Sequence, residues 1–202
     1  MLSNKYCSLV ITAAIFFCGC VSAQKMGSPT ESLKATFKDD FLIGTALSAD
    51  QIEGRDNKAA GLVLQHFNAA TPENIMKSMI IHPAWDQYNF DLADKLVDYG
   101  NKNNIKINGH TLVWHSQLPA FMQNMKDADS VKKIFTDHIN TVARRYNGKV
   151  FSWDVVNEAL NEDGTMRKSI FQQKLGDDFV TEAFRRPLSS LRYLEPLDTH
   201  CI

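Results

Sequence analysis

Apolar and polar positions follow one another along this chain in a repeating order: a short apolar run, then a longer stretch with apolar residues three or four apart. The first run, Phe41-Leu42-Ile43-Gly44-Thr45-Ala46-Leu47, suits a buried strand. A helical pattern follows over Ala59 to Phe67, with Ala60, Leu64 and Phe67 at helical spacing, and a short element over Phe67 to Ala70 ends in Thr71-Pro72. Phe90, Leu92, Ala93, Leu96, Val97 and Tyr99 predict an amphipathic helix stopped by Gly100-Asn101. Ile105 to His110 is strand-like and continues into Thr111-Leu112-Val113-Trp114. The longest periodic stretch places Val131, Ile134, Phe135, His138, Ile139, Val142 and Ala143 on one helix face, with Asp129-Ser130 as the cap and Asn147-Gly148 as the stop. Val150 to Val156 is a further apolar strand, and Phe171, Leu175, Phe179, Val180 and Phe184 predict a last helix stopped near Pro187.

Four strand-then-helix units therefore lie between Phe41 and Phe184. Alternating units of this kind build an α/β fold around a parallel sheet with right-handed crossovers. No internal repeat or low-complexity segment interrupts them. Composition adds a bound: 202 residues, 44% hydrophobic and 22% charged, with a net charge of −1. That balance excludes a polybasic nucleic-acid binder and a disordered acidic tail, so no nucleic-acid partner is expected, and no protein partner is implied. The length is short for a complete (β/α)8 barrel, which takes about 250 residues.

The N-terminus has the layout of an export signal. Lys5 is the only charge before residue 24, Leu9 to Phe17 is almost wholly apolar, and Val21-Ser22-Ala23 offers small residues for cleavage. Residues 1–23 are expected to be a signal peptide, 24–38 a polar leader around Gly27-Ser28-Pro29-Thr30, and the product secreted or periplasmic. Phe17-Cys18-Gly19-Cys20 loosely resembles a lipoprotein box, which makes Cys20 a possible lipid anchor. Cleavage after Ala23 leaves Cys201 alone of the four cysteines, so no intrachain disulfide can form. Cys18-x-Cys20 has the wrong spacing for zinc, and His110 and His115, five apart on a strand, would point to opposite faces, so no metal is expected.

Function in α/β barrels gathers at the C-terminal ends of strands. Asn157-Glu158 stands there, directly after the apolar run Trp153-Asp154-Val155-Val156. A carboxylate beside a core must be paired, neutralised or functional, although a surface helix cap would carry the same residue. At the end of the preceding strand His110, Trp114 and Gln117 supply an indole platform with imidazole and amide partners, the types that suit a sugar's apolar faces and hydroxyl rim. Packing alone would also accommodate a histidine and a tryptophan there. Glu73, Asn74 and Lys77 form an opposite-charge i,i+4 pair with an amide between, which also fits a solvated helix face. No Ser–His–Asp order, phosphate-binding glycine loop or nucleotide fingerprint is visible, and no cofactor is expected.

At this point a resemblance becomes specific. His66-Phe67-Asn68 with Thr71-Pro72-Glu73-Asn74-Ile75-Met76-Lys77, then Gly109 to His115, then Trp153-Asp154-Val155-Val156-Asn157-Glu158 resemble successive motifs of glycoside hydrolase family 10, the endo-1,4-β-xylanases. Phe41-x-x-Gly44-x-Ala46 is similar to the family's first strand. The resemblance covers about Phe41 to Phe184 and implies a (β/α)8 TIM barrel that hydrolyses xylan or xylo-oligosaccharides with retention, without a cofactor. It implies that Glu158 is the general acid/base, that Asn157 holds the sugar 2-hydroxyl and the nucleophile, and that Glu73, Asn74, Lys77, His110 and Trp114 line the subsites before the cleaved bond. Adjacent Asn157 and Glu158 can both face one site only if the strand ends between them.

By the same resemblance, residues 39–185 are the first half of the catalytic barrel, with the first four of its βα units, and 186–202 are a divergent tail. Retention needs a second carboxylate about 5–5.5 Å from the first. The family takes it from strand seven, so the nucleophile is expected to be absent from this chain. Glu195, in Tyr193-Leu194-Glu195-Pro196-Leu197-Asp198, faintly echoes the family's motif but comes only 37 positions after Glu158. Three further βα units need about 100 residues. The expectation is an open-edged half barrel without measurable xylanase activity, and the alternative to an enzyme is a non-catalytic fragment that binds xylan weakly.

Overall fold

The computed structural model of the chain describes residues 32–190. The signal segment, Cys20, most of the leader, Glu195 and the tail beyond 190 lie outside the described residues. In chain order the elements are α1 (Leu33–Thr36), β1 (Gly44–Leu47), α2 (Ala49–Ile52), α3 (Ala60–His66), β2 (Ala69–Pro72), α4 (Ser78–Ile81), α5 (Asp91–Asn103), β3 (Lys106–Trp114), α6 (Ala120–Gln123), α7 (Ala128–Arg145), β4 (Ser152–Asn157), α8 (Ile170–Leu175) and α9 (Phe179–Ser190). The four strands form one parallel sheet in the order β1-β2-β3-β4. Each strand is followed by helices, which is about half of a barrel of this class.

The long helices form where the periodicity demands them. All seven predicted face residues of α7 are buried, and this face packs on β3 and on α8 and α9. Its cap is Asp127, whose side chain accepts from the Ser130 N–H, so the helix starts earlier than Asp129-Ser130 suggests. In α5, Ala93, Leu96 and Val97 are buried as the pattern predicts, but the helix does not stop at Gly100. A Cβ at Gly100 would lie 2.8 Å from the Ile105 carbonyl oxygen and 2.8 Å from the Ile107 side chain. This glycine therefore lets β3 pass close to the helix, and Asn104, in the left-handed region at φ 53°, provides the stop.

Other departures have equally local causes. α1 lies inside the segment read as a polar leader, capped by the Ser32 side chain accepting from the Ala35 N–H. In α3 the buried residue is Val63, while Leu64 is exposed, so the inward face is one position away from the predicted one. The single helix expected over 171–184 is two: Gly176 closes α8, and α9 begins at Phe179 and continues past Pro187 to Ser190.

The core runs from Leu47 in β1 through Ile107, Leu112 and Val113 in β3 to Ile134, Ile139 and Val142 in α7. β3, paired on both sides, is largely buried, whereas all six residues of β4, the last strand of the described sheet, are half-buried. Gly109 and Trp153 are opposite partners in the β3–β4 ladder, and a Cβ at Gly109 would meet the Trp153 ring at 2.3 Å. The indole thus lies on bare backbone, which fixes β4 against β3 just before the strand ends. Between the end of α4 and α7, His82 and His138 are buried with parallel rings and an Nδ1–Nδ1 separation of 3.1 Å.

Candidate active site

The predicted residues fall at or just beyond the C-terminal ends of β2, β3 and β4, except His110, which lies in the middle of β3. Glu73 and Asn74 follow β2 directly, and the Glu73 N–H donates to the Leu47 carbonyl at 3.0 Å, tying this turn to the end of β1. Glu73 to Lys77 is a turn and not a helix face. Its cation is inward: Lys77 is only 8% exposed, donates from Nζ to Asn74 Oδ1 at 3.0 Å, and places Nζ 4.5 Å from the centre of the Trp114 ring. Burial pulls the Lys77 pKa down from its ordinary value, and the nearby charges of Glu158 and Glu73 oppose that shift.

Glu158 and Trp114 form the centre of the arrangement. β4 ends at Asn157, and Glu158 turns into the left-handed region at φ 50°, so the chain leaves the alternation of the strand between these two residues. Asn157 and Glu158 consequently line one depression with Trp114, His115 and Arg167. The Trp114 indole Nε1–H donates to Glu158 Oε2 at 3.0 Å, and His115 Nε2 is 3.8 Å from the same oxygen. The rings of Trp114 and His115 meet edge to face, with centroids 5.7 Å apart. Burial, with the Arg167 charge second, lowers the His115 pKa below its ordinary value.

His110 belongs to an adjoining network. Its Nδ1 is 2.8 Å from Asp154 Oδ2, which also accepts from Asn108 Nδ2 at 3.1 Å. Asn108 Oδ1 in turn accepts from Ser152 Oγ at 2.7 Å. The bond to His110, with that from Asn108, holds the Asp154 carboxyl below the usual carboxylate range. The β3–β4 register shifts between His110 and Val113. Strict alternation therefore fails here, and His110 and His115 do not obey the opposite-face rule: His110 tilts towards the Trp114 ring at 6.2 Å between centroids, and His115 abuts the same ring.

The structure thus brings Glu158, Trp114, Lys77 and Asn74 into one chain of contacts, with Asn157 and His110 beside it and Glu73 in electrostatic reach of Lys77. Sequence reasoning passed over Asp154, His115 and Arg167. Asp154 was detectable as an acid inside the apolar run Val150 to Val156, but nothing local marks Arg167. Among the described residues no group of three or more His, Cys, Asp or Glu side chains could hold a metal ion. A carboxyl gripped by an indole N–H and surrounded by imidazole, amide and ammonium groups can exchange a proton with a bound oxygen while the aromatic surface carries a sugar ring.

Four parallel strands carrying these groups towards their C-terminal ends are about half of an α/β barrel of the (β/α)8 class. The chain belongs to glycosyl hydrolase family 10, which it matches over residues 32–189. It is 37% identical over 183 residues to endo-1,4-beta-xylanase 2 of Claviceps purpurea, covering 87% of this chain and 56% of that protein. It is also 37% identical over 188 residues to the beta-1,4-xylanase of Dictyoglomus thermophilum, covering 91% of this chain and 52% of the relative. Xylanase 10B from Thermotoga petrophila, solved in complex with xylobiose, superposes with a TM-score of 0.76 at 36% identity, over 80% of this chain and 50% of that one. The chain therefore spans about half the length of the relatives it matches.

Proposed function

We propose that the protein is an endo-1,4-β-xylanase acting on xylan and xylo-oligosaccharides, with Glu158 as the acid/base of a retaining reaction. The observation that carries this reading is the carboxylate at the end of β4 held by the Trp114 indole N–H at 3.0 Å. Glu158 would protonate the leaving glycosidic oxygen and later take a proton from water. Lys77, Asn74, Glu73 and His110 would supply donors and acceptors for hydroxyl groups of the sugars before the cleaved bond, Trp114 would offer their ring a flat apolar surface, and Asn157 would hold a 2-hydroxyl and the nucleophile. An attacking carboxylate about 5–5.5 Å from Glu158 completes such a mechanism. A second reading takes the chain by itself as a xylan-binding face without turnover, supported by the Lys77 ammonium 4.5 Å over the Trp114 ring, a polar and aromatic surface that suits a sugar without any bond being broken. Export across a membrane, with or without lipid at Cys20, accompanies either reading, and N-terminal sequencing of the mature protein tests it.

Incubating the 202-residue chain with xylan and with xylohexaose separates these readings. Reducing ends released by the chain and lost in Glu158→Gln, with the β-anomer formed first by NMR, establish the hydrolase. No release, together with xylohexaose binding that Trp114→Ala and Lys77→Ala abolish, establishes the binding face. Neither release nor binding overturns both.

A further inference from the structure

Glu158 adopts a backbone conformation that a side chain with a Cβ rarely takes, at φ 50°, and it is the residue with an exposed carboxylate at the centre of the site. Such a residue persists only where its surroundings over-determine it. The segment that follows is a small hairpin: Leu160 and Met166 form an antiparallel bridge, the Asn161 N–H donates to the Thr165 carbonyl at 2.8 Å, and the Gly164 N–H returns to Asn161 at 2.9 Å. At its tip the Asp163 carboxylate accepts from both the N–H and the hydroxyl of Thr165. The hairpin ends at Arg167, and there three donors of one residue meet three successive carbonyls. Arg167 Nε–H donates to Glu158 O at 3.1 Å, the Arg167 backbone N–H donates to Ala159 O at 2.8 Å, and Nη2 donates to Leu160 O at 3.1 Å.

We propose that Arg167 is the positioning residue of Glu158: its guanidinium and backbone N–H fix the left-handed turn that aims the carboxylate at the Trp114 indole. The proposal rests on the reading of Glu158 as the acid/base, because only then does the aim of that carboxylate matter to chemistry. A planar guanidinium presents Nε–H and Nη2–H in a rigid fork that serves two carbonyls set two residues apart, whereas an ammonium gathers its three donors on one atom at the end of a flexible stem. Arg167 also lines the depression with Glu158 and His115, so its charge faces the site as well as the hairpin. Among the described residues its donors go to backbone carbonyls and not to the indole or the carboxylate, so its influence passes through the backbone of Glu158.

The Trp114 indole N–H resonance in the full 202-residue chain tests this without turnover. Trp114→Phe assigns the signal, and Glu158→Ala gives its position once the acceptor is gone. Arg167→Ala is expected to move the resonance at least half of that displacement, and Arg167→Lys a smaller part of it. Thr165→Ala, which loosens only the hairpin tip, is expected to leave the resonance in place while lowering the melting temperature. A wild-type resonance in Arg167→Ala overturns the proposal and makes Arg167 a simple staple of the hairpin. The same holds if Thr165→Ala moves the signal as far, or if Glu158→Ala fails to move it at all. Should Arg167→Ala not fold, Arg167→Lys decides, with an intermediate shift in support and a wild-type position against. Failure of the acid/base reading appears separately, in the hydrolysis and binding assays of Glu158→Gln.

Discussion

Two pairs of histidines lie within this half barrel in opposite surroundings. His82 and His138 are buried between α4 and α7 against Tyr88 and Phe121, with the charges of Asp86 and Asp137 acting on His82 and, among the described residues, no carboxylate bonded to either ring. Desolvation pushes their pKa values down, to about 4 for His82 and about 3 for His138. Their facing Nδ1 atoms can share one proton, the backbone of Leu112 reaches the His138 ring, and Nε2 of His82 finds no hydrogen-bond partner among the described residues. His110 in the middle of β3 and His115 just past its end each stand beside an acid, Asp154 or Glu158. The first pair is packed and driven neutral, so its alteration is expressed in stability. The second is arranged around carboxylates, and its alteration is expressed at the site.

The largest expected effect breaks the buried pair with acid. Because the folded pKa values lie below the ordinary value of 6.5, the unfolded chain takes up protons first as pH falls. The stability of the neutral pair is thus fully present above about pH 6.5 and is lost progressively towards pH 4 and below, by on the order of 3 kcal/mol or more. Urea unfolding at pH 7, 5.5 and 4 measures it, and a flat profile contradicts the contrast drawn here. Next in size, His138→Ala should lower stability by about 3 kcal/mol at pH 7, from the cavity and the stranded nitrogen of His82. Denaturant midpoints at constant slope report this value.

At the strand ends the order reverses. Lys77→Met keeps the packing on Trp114 and should change stability by no more than about 1 kcal/mol. It should nevertheless weaken xylohexaose binding about tenfold, a ~1.4 kcal/mol loss readable by calorimetry. Glu158→Gln is expected to have the smallest effect on folding, within about 0.5 kcal/mol, because the side chain is half exposed. A large loss of stability in Glu158→Gln would show that the two regions share one energetic unit.

Legibility in the sequence follows the range of the forces involved. α7 was readable because a single face repeats over five turns, and all seven of its predicted residues are buried. The strand ends were readable because acids, indole and imidazole interrupt apolar runs there, and Glu158 follows from the strand-end rule before any resemblance is used. Gly100 was misread as a stop because the reason for it, the approach of Ile105 and Ile107, comes from the following strand. The His82–His138 contact spans 56 residues and the Trp114–Glu158 bond 44, and neither has a local signature. Arg167 is silent in sequence because its partners are carbonyl oxygens, which every residue possesses.

Trp153, pressed on the bare backbone of Gly109, has an optical consequence. The chain has three tryptophans, and the structure gives each a different medium: Trp85 is 39% exposed beside Phe121, Trp114 is bonded to a carboxylate under an ammonium, and Trp153 is packed in the β3–β4 seam near Tyr146. Emission from these indoles should therefore separate by colour and by quencher access. Ligand arrival at the strand ends and loosening of the sheet could then be followed as distinct signals in the same unlabelled sample.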